Sequence, residues 1–378
     1  MPEITPIPLA QLTTLRTGGV PERMIDALST DELVEALRDV WATGDEWFVL
    51  GGGSNLFVGD DPFEGTVVRI LTRGIERLPS PRPGFARLRV AAGHDWDDLV
   101  AVSVSEGLAG LEAMSGIPGT VGAAPVQNIG AYGQETVQTL VEVELIDETT
   151  GEVETVPAAD LGLGFRTSVL KHHYGSVPAR RAVILSATFE LADVGHGERR
   201  IAGAQLRGAL GLTEDDTVSL AWVREHVLAT RARKGMVLDD ADPDTHSAGS
   251  FFQNAVVSAS FARTLPDACP RWPVAPDLDP VVVIPLSAYE GLVPAPTSRE
   301  SDVKVSAGWL IENAGLRKGF RFPRSRAGLS TKHALALTNR GNATATELAE
   351  LARYIQSRVA AEFGLVLQPE PVLIGVEL

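Results

Sequence analysis

The sequence is short of several things, and each shortage excludes a class of function. It has one cysteine, Cys269, in 378 residues. A single thiol permits no intrachain disulfide and no thiolate metal cluster. Seven histidines are scattered, with no His-x-His and no His-Glu-x-x-His, so no metal site is expected. Basic residues are scarce: 33 Lys and Arg stand against 49 Asp and Glu, a formal net charge of −16. A surface this acidic disfavours nucleic acid and anionic membranes as partners. It leaves room for an anionic ligand held locally by Arg, Lys and backbone N–H groups. No apolar run reaches the roughly 18 residues of a membrane-spanning helix. The first ten residues lack the basic-then-apolar order of a secretory leader, so the expected setting is cytoplasmic. There is no internal repeat and no low-complexity tract. What is present is ordinary for a globular protein: 44% hydrophobic and 22% charged residues, in a chain long enough for two or three domains.

The chain is organised around residues 113–134, which carry no charge. This is not a membrane span, because its glycines and prolines, with Gln127 and Asn128, would leave polar groups unsatisfied in lipid. It shows neither helix nor strand periodicity. It reads as a long uncharged loop with glycine at 116, 119, 122, 130 and 133. Glycine lets backbone approach a ligand closely and brings N–H groups within reach of phosphate. The plainer alternative is a buried turn between core elements.

Upstream, Ser29 and Glu32 form a capping box for a helix with Leu33, Leu37, Val40 and Trp41 on one face, stopped by Gly44. A short buried strand over 47–50 then feeds Gly51-Gly52-Gly53-Ser54-Asn55, the general design of a phosphate cradle. It is not the Rossmann version. Leu56 takes the place of the third glycine, and 57–62 is no helix. It is not a P-loop, because Gly-Lys-Ser/Thr is absent. A tight turn between two strands is the alternative. Strands are expected over 67–70, 88–91 and 182–191, a helix between Gly93 and Gly107, and a hairpin from 141–145 through 149–151 to 153–156. The first part of the chain is thus an α+β domain holding two Gly-rich loops.

Arg166 lies in the apolar run Leu163-Gly164-Phe165. It either pairs with a core carboxylate or faces an anionic ligand bidentately. Residues 195–212 are polar and read as a boundary. A helix over 218–230 ends in a basic cluster reaching Lys234, which is either a solvated helix C-terminus or a phosphate contact. Ser250, between Gly249 and the pair Phe251-Phe252, is a hydroxyl against apolar surface, or a strand-start serine bonding its own backbone. Phe252 excludes the Gly-x-Ser-x-Gly elbow, so hydrolase chemistry is disfavoured. Residues 265–298 are Pro-rich and read as a surface excursion. A short helix over 306–315 and a second basic patch over 316–321 follow, then a turn and strand over 330–339. Thr344 and Glu347 cap an amphipathic helix carrying Leu348, Leu351, Ile355, Val359 and Phe363, stopped by Gly364. Glu370, after Pro369, is either a surface carboxylate or a carboxyl at a strand end facing a cleft.

Together these stretches resemble the UDP-N-acetylenolpyruvoylglucosamine reductase (MurB) family, flavoenzymes of peptidoglycan precursor synthesis. The resemblance is carried by Leu50-Gly51-Gly52-Gly53-Ser54-Asn55, by Ile117-Pro118-Gly119 with Gly122, and by Gln127-Asn128-Ile129-Gly130-Ala131-Tyr132-Gly133. Gly164-Phe165-Arg166, Gly249-Ser250-Phe251-Phe252 with Asn254, Ala307-Gly308-Trp309 and Pro369-Glu370 continue it, in the family's order across nearly the whole chain. It implies an FAD-binding domain of the vanillyl-alcohol-oxidase (PCMH) type over 12–195, in lobes of about 12–75 and 76–195. It also implies an α+β substrate-binding domain over 205–378. Bound FAD, NADPH as co-substrate, a UDP-sugar substrate and a monomeric chain are implied with it. NADPH would reduce FAD, hydride would pass from flavin N5 to C3 of the enolpyruvyl group, and a proton would reach C2. By the resemblance Arg166 and a protonated Glu370 steady the enolate, and Ser250 is the general acid. Gly51, Gly52, Gly53, Ser54 and Asn55, with Ile117, Pro118, Gly119, Gly122 and Ala123, hold FAD. Tyr132, Lys234 and Asn254 contact substrate. One departure stands out. Members with this pattern usually carry a Tyr-Gly pair shortly before the position of Leu206, and the Tyr closes over the substrate diphosphate. Here the segment is Ile201-Ala202-Gly203-Ala204-Gln205-Leu206. Two other readings remain at this stage: a flavin oxidase of the same fold, and a non-catalytic flavin or UDP-sugar binder.

Overall fold

The structure, a computed structural model, describes residues 3–171, 179–274 and 302–378. His172, His173 and Tyr174, and the Pro-rich excursion from 275 onward, lie outside the described residues.

Helix α1 (Thr30–Thr43) begins as its residues dictate. Ser29 accepts the Glu32 N–H while Glu32 takes the Ser29 N–H, and Gly44 ends the helix at φ 74°. Parallel strands need such a crossover. α1 carries the chain from Pro21–Ala27 to Glu46–Leu50, and Phe63–Ile70 inserts between them, parallel to both. Strands of a second sheet lie between 75 and 193, in the order Val153–Pro157, Leu140–Asp147, Ala182–Asp193, Phe85–Ala91, Ile75–Leu78, all antiparallel. Its hairpin turn is held by Asp147, whose Oδ1 accepts the N–H groups of Thr149 and Thr150. Helix α2 (Trp96–Ser105) is capped by Asp95. One core, including Val68, Leu88, Trp96, Leu185 and Phe189, runs through both sheets.

Residues 113–134 are neither helix nor strand for most of their length. They fold as consecutive 3-10 turns at Val121–Ala123 and Pro125–Gln127, then a two-residue ladder of Gly130–Ala131 with Gln134–Glu135. The polar stretch read as a boundary contains a helix, α3 (Ala204–Leu210). Its N-cap is Gly203 with no capping side chain, so the usual start signal was missing. α3 and α4 (Leu220–Arg233) pack through Leu206, Val223 and Val227 onto Ala113, with Tyr132 against them.

The C-terminal part holds a three-stranded sheet of Ala255–Val257, Val303–Val305 and Arg271–Pro273. α5 (Ala307–Asn313) and the long α6 (Ala345–Phe363) share one hydrophobic core with it, and Thr344 caps α6 with a capping box. This core takes in Leu15 and Phe57 from the N-terminal part. The last strand, Val372–Ile374, returns to pair in parallel with Leu56–Val58, directly after the first Gly-rich loop. Among the described residues, no helix is long and apolar enough to cross a membrane, and no group of three metal-ligating side chains is assembled.

Candidate active site

A cavity of about 570 Å³ opens between the two Gly-rich loops. Gly51, Gly52, Gly53, Ser54 and Asn55 line one side; Pro118, Gly119, Thr120, Gly122 and Ala123 line the other. The loops interlock more tightly than side chains allow. A Cβ on Gly52 would sit 2.6 Å from Gly119 Cα, and one on Gly53, at φ 60°, would sit 2.0 Å from Leu12 O. Among the described residues, the N–H groups of Gly52, Gly53, Ser54 and Asn55 find no acceptor. Such a row is ready for an anion. Gly122 is different. Its N–H donates to Ala92 O at 2.8 Å, and its missing Cβ admits Ala92. Ile117 lies outside the cavity lining and packs on the main core. Free N–H groups beside an apolar wall of Trp47, Ile70, Trp96 and Val126 fit the diphosphate and rings of a flavin dinucleotide.

Glu370, just before the final strand, lies outside the cavity lining, but its carbonyl oxygen meets two residues of that lining, Asn55 and Lys171. Asn55 Nδ2 donates to Gln127 Oε1 at 2.8 Å and to Glu370 O at 3.3 Å. The Glu370 N–H donates to Phe251 O at 2.8 Å. Arg166, held in the left-handed region at φ 58°, places Nε 3.1 Å from Glu370 Oε1. Its other nitrogens donate to Asn128 O at 3.1 Å and Gly130 O at 2.9 Å. Of the two alternatives for Arg166, a carboxylate pair is therefore present, and the carboxylate is Glu370. Asn128 is fully buried and knits this corner, donating to Gly164 O and Glu135 and accepting from Val137 N–H. Burial pushes the Glu370 carboxyl above its ordinary value, and attraction to Arg166 and Lys171 does not cancel that push. A carboxyl so raised can be protonated and donate.

Ser250 is half-buried one residue from the Glu370 tether, and its Oγ has no hydrogen-bond partner among the described residues. Phe251 and Phe252 behind it are fully buried. Lys234, exposed at the end of α4, holds Nζ 5.8 Å from the Tyr132 ring centre. Asn254 spends Oδ1 on the Ala307 N–H at the start of α5, at 3.0 Å. Gln205 of α3 sits against the turn at Gly133, with Oε1 3.6 Å from where a Cβ there would be. Sequence reasoning passed over Gln127 and Lys171, which meet inside the cavity at 3.1 Å, and the Glu148–Arg181 ion pair on its lining at 2.7 Å. It also passed over His333. That ring's Nδ1 accepts the Leu335 N–H at 3.1 Å. Burial, with help from Lys234, Lys318 and Arg231, pushes its pKa down to about 4.

A glycine-walled cavity with free N–H groups beside a largely buried Arg–carboxyl corner suits a flavin-binding protein, and residues 21–157 match the family described as FAD binding domain. Residues 242–374 match the C-terminal domain of UDP-N-acetylenolpyruvoylglucosamine reductase. The chain is 52% identical to the reductase of that name from Leifsonia xyli subsp. xyli, over 99% of both chains. It is 46% identical to that of Saccharopolyspora erythraea, over 98% of this chain and 95% of the other. The crystal structure of the enzyme from Thermus caldophilus shares the fold, with TM-score 0.59 at 24% identity over 99% of each chain. The chain belongs to the UDP-N-acetylenolpyruvoylglucosamine reductase family. The α+β flavin fold and the family resemblance read from the sequence both hold.

Proposed function

We propose that this chain reduces UDP-N-acetylenolpyruvoylglucosamine to UDP-N-acetylmuramate with NADPH, in peptidoglycan precursor synthesis, as a cytoplasmic monomer. The observation that carries the reading is the Arg166–Glu370 corner at the end of the glycine-walled cavity, with the Glu370 carboxyl raised by burial. FAD bound in this cavity would supply the redox chemistry, taking hydride from NADPH and passing it to C3 of the enolpyruvyl group. The N–H groups of Gly52, Gly53, Ser54 and Asn55 would hold its diphosphate. Addition of hydride puts negative charge beside the substrate carboxylate. Arg166 and protonated Glu370, already in place, meet that charge. Ser250 Oγ then gives its proton to C2. A hydroxyl is a weak acid, so the transfer relies on a strongly basic enolate and on water being excluded, which Phe251 and Phe252 favour. Lys234 beside Tyr132 contacts the substrate diphosphate, and Asn254 offers the amide nitrogen its capping bond leaves free. The FAD-binding part is 12–195 and the substrate part 205–378, with α3 and α4 bridging them through Ala113 and Tyr132.

Stopped-flow mixing of the NADPH-reduced enzyme tests this. Rapid flavin reoxidation by the enolpyruvyl sugar, and slow reoxidation by O2, is expected. Fast reaction with O2 and none with the sugar would sink the proposal in favour of an oxidase.

A further inference from the structure

Among the described residues, three charged ones line the cavity: Glu148, Lys171 and Arg181. Glu148 and Arg181 neutralise each other at 2.7 Å. Lys171 has no such partner. Its Nζ donates to Gln127 Oε1 at 3.1 Å and lies 3.5 Å from Glu370 O, both neutral acceptors. No carboxylate of the described residues stands within ion-pair distance of it, and the nearby Glu370 carboxyl group is engaged by Arg166. Burial accordingly lowers the Lys171 pKa, Arg166 adds to the lowering, and Glu370 opposes it. Keeping an ammonium in such a place is costly without a counterion. Gln127 ties this cation to Asn55 of the first Gly-rich loop, while Glu370 O ties it to the Arg166 corner. It therefore stands where the cavity meets that corner.

We propose that Lys171 tunes the flavin, its ammonium meeting the negative charge that the isoalloxazine ring gains on reduction and so favouring the reduced state. The inference rests on the reading that FAD fills this cavity with its ring toward Arg166 and Glu370. The step balances as hydride transfer: NADPH loses two electrons and one proton together and becomes NADP+, and the neutral oxidised ring gains them and one negative charge. A cation shifts this equilibrium because it interacts with the charged product and hardly with the neutral reactant. Gln127 and the Glu370 carbonyl hold the ammonium in position without cancelling its charge, as carboxylate partners would. Lys171 is thus a positioning and tuning residue, distinct from the groups that face the enolpyruvyl sugar.

The test is the two-electron midpoint potential of FAD-saturated wild type, K171R, K171Q and K171M, measured against a reference dye. K171Q and K171M are expected to lower the equilibrium constant for flavin reduction at least about tenfold, a fall of ~30 mV, while K171R stays near wild type. Sulfite gives a second readout, since its addition to the oxidised flavin also places negative charge on the ring. Its affinity should fall at least about tenfold in K171Q and hold in K171R. Flavin absorbance reports FAD content, and two neutral variants are made so that loss of FAD from one leaves the other. Full FAD with an unchanged potential in K171Q overturns the proposal, as does a K171R potential as low as that of K171Q. Either result leaves the cavity assignment standing. A wild-type protein that takes up no FAD would overturn that assignment instead.

Discussion

Replacing Arg166 by Met removes a cation whose partner carboxyl is only 15% exposed. Taking one member from a buried ion pair costs about 3–5 kcal/mol, because the other charge is left uncompensated. Here both side chains keep some solvent, 20% for Arg166 and 15% for Glu370, so the lower end of that range applies. The lost bonds to Asn128 O and Gly130 O add to the cost, and the left-handed φ of residue 166 is no easier for Met. R166M should therefore be less stable by roughly 3 kcal/mol at pH 8. The pH dependence has a definite sign. The folded pKa of Glu370 lies above its ordinary value. Stability from the neutral carboxyl is complete at low pH and is lost as pH rises through the folded pKa. Without Arg166 that pKa climbs further, so R166M should be penalised less at pH 5 than at pH 8. R166M/E370Q, with no charge left at either position, should recover about 2 kcal/mol relative to R166M at pH 8. Urea unfolding of the FAD-saturated proteins, followed by far-UV circular dichroism, measures this, with slopes compared to confirm like transitions. Equal penalties at both pH values, or strictly additive single variants, would refute the coupling.

Ser250→Ala should leave flavin reduction by NADPH intact and slow flavin reoxidation by substrate at least ~10²-fold, since only the second half-reaction uses its proton. Equal loss in both half-reactions would make Ser250 structural. Gly52→Ala forces a methyl to within 2.6 Å of Gly119 Cα, so the loops must part and FAD affinity should drop at least tenfold by fluorescence titration; unchanged affinity would show that the loops do not hold the cofactor. His333 has a folded pKa of about 4 against an ordinary 6.5. Its neutral form stabilises the fold above pH 6.5, and that stability is lost as pH falls toward 4, by roughly 3 kcal/mol. H333Q should show a correspondingly flatter stability profile between those values, and a profile parallel to wild type would count against the assignment.

How much could be read from the sequence depended on how local each signal was. Ser29 with Glu32 and Thr344 with Glu347 act within one turn, and both helices start where those residues require. The two Gly-rich loops were legible because turn chemistry is local, though their separate roles were not. Gly122 carries the same letter as Gly52 yet serves packing, since its N–H is consumed by Ala92. α3 was missed because a glycine cap gives no side-chain signal. Arg166 was ambiguous for a deeper reason. Its partner depends on a strand pairing formed at the far end of the chain, which no window around residue 166 contains. Lys171 was invisible for the same reason, as its contact with Glu370 O spans 199 positions.

The pairing of Val372–Ile374 with Leu56–Val58 has a consequence for how the protein is made. Val372 and Ile374 are part of the cavity wall, and Glu370 precedes them. They are synthesised long after the strand they pair with, Leu56–Val58. A nascent chain that has already built both sheets of its N-terminal part still lacks a wall of the cofactor site and the carboxyl beside it. Cofactor enclosure and the acid corner thus arrive together, only once this distant strand has been made. A stop before Glu370 would remove both at once, leaving a chain without the strand that closes the cavity and without the acid corner.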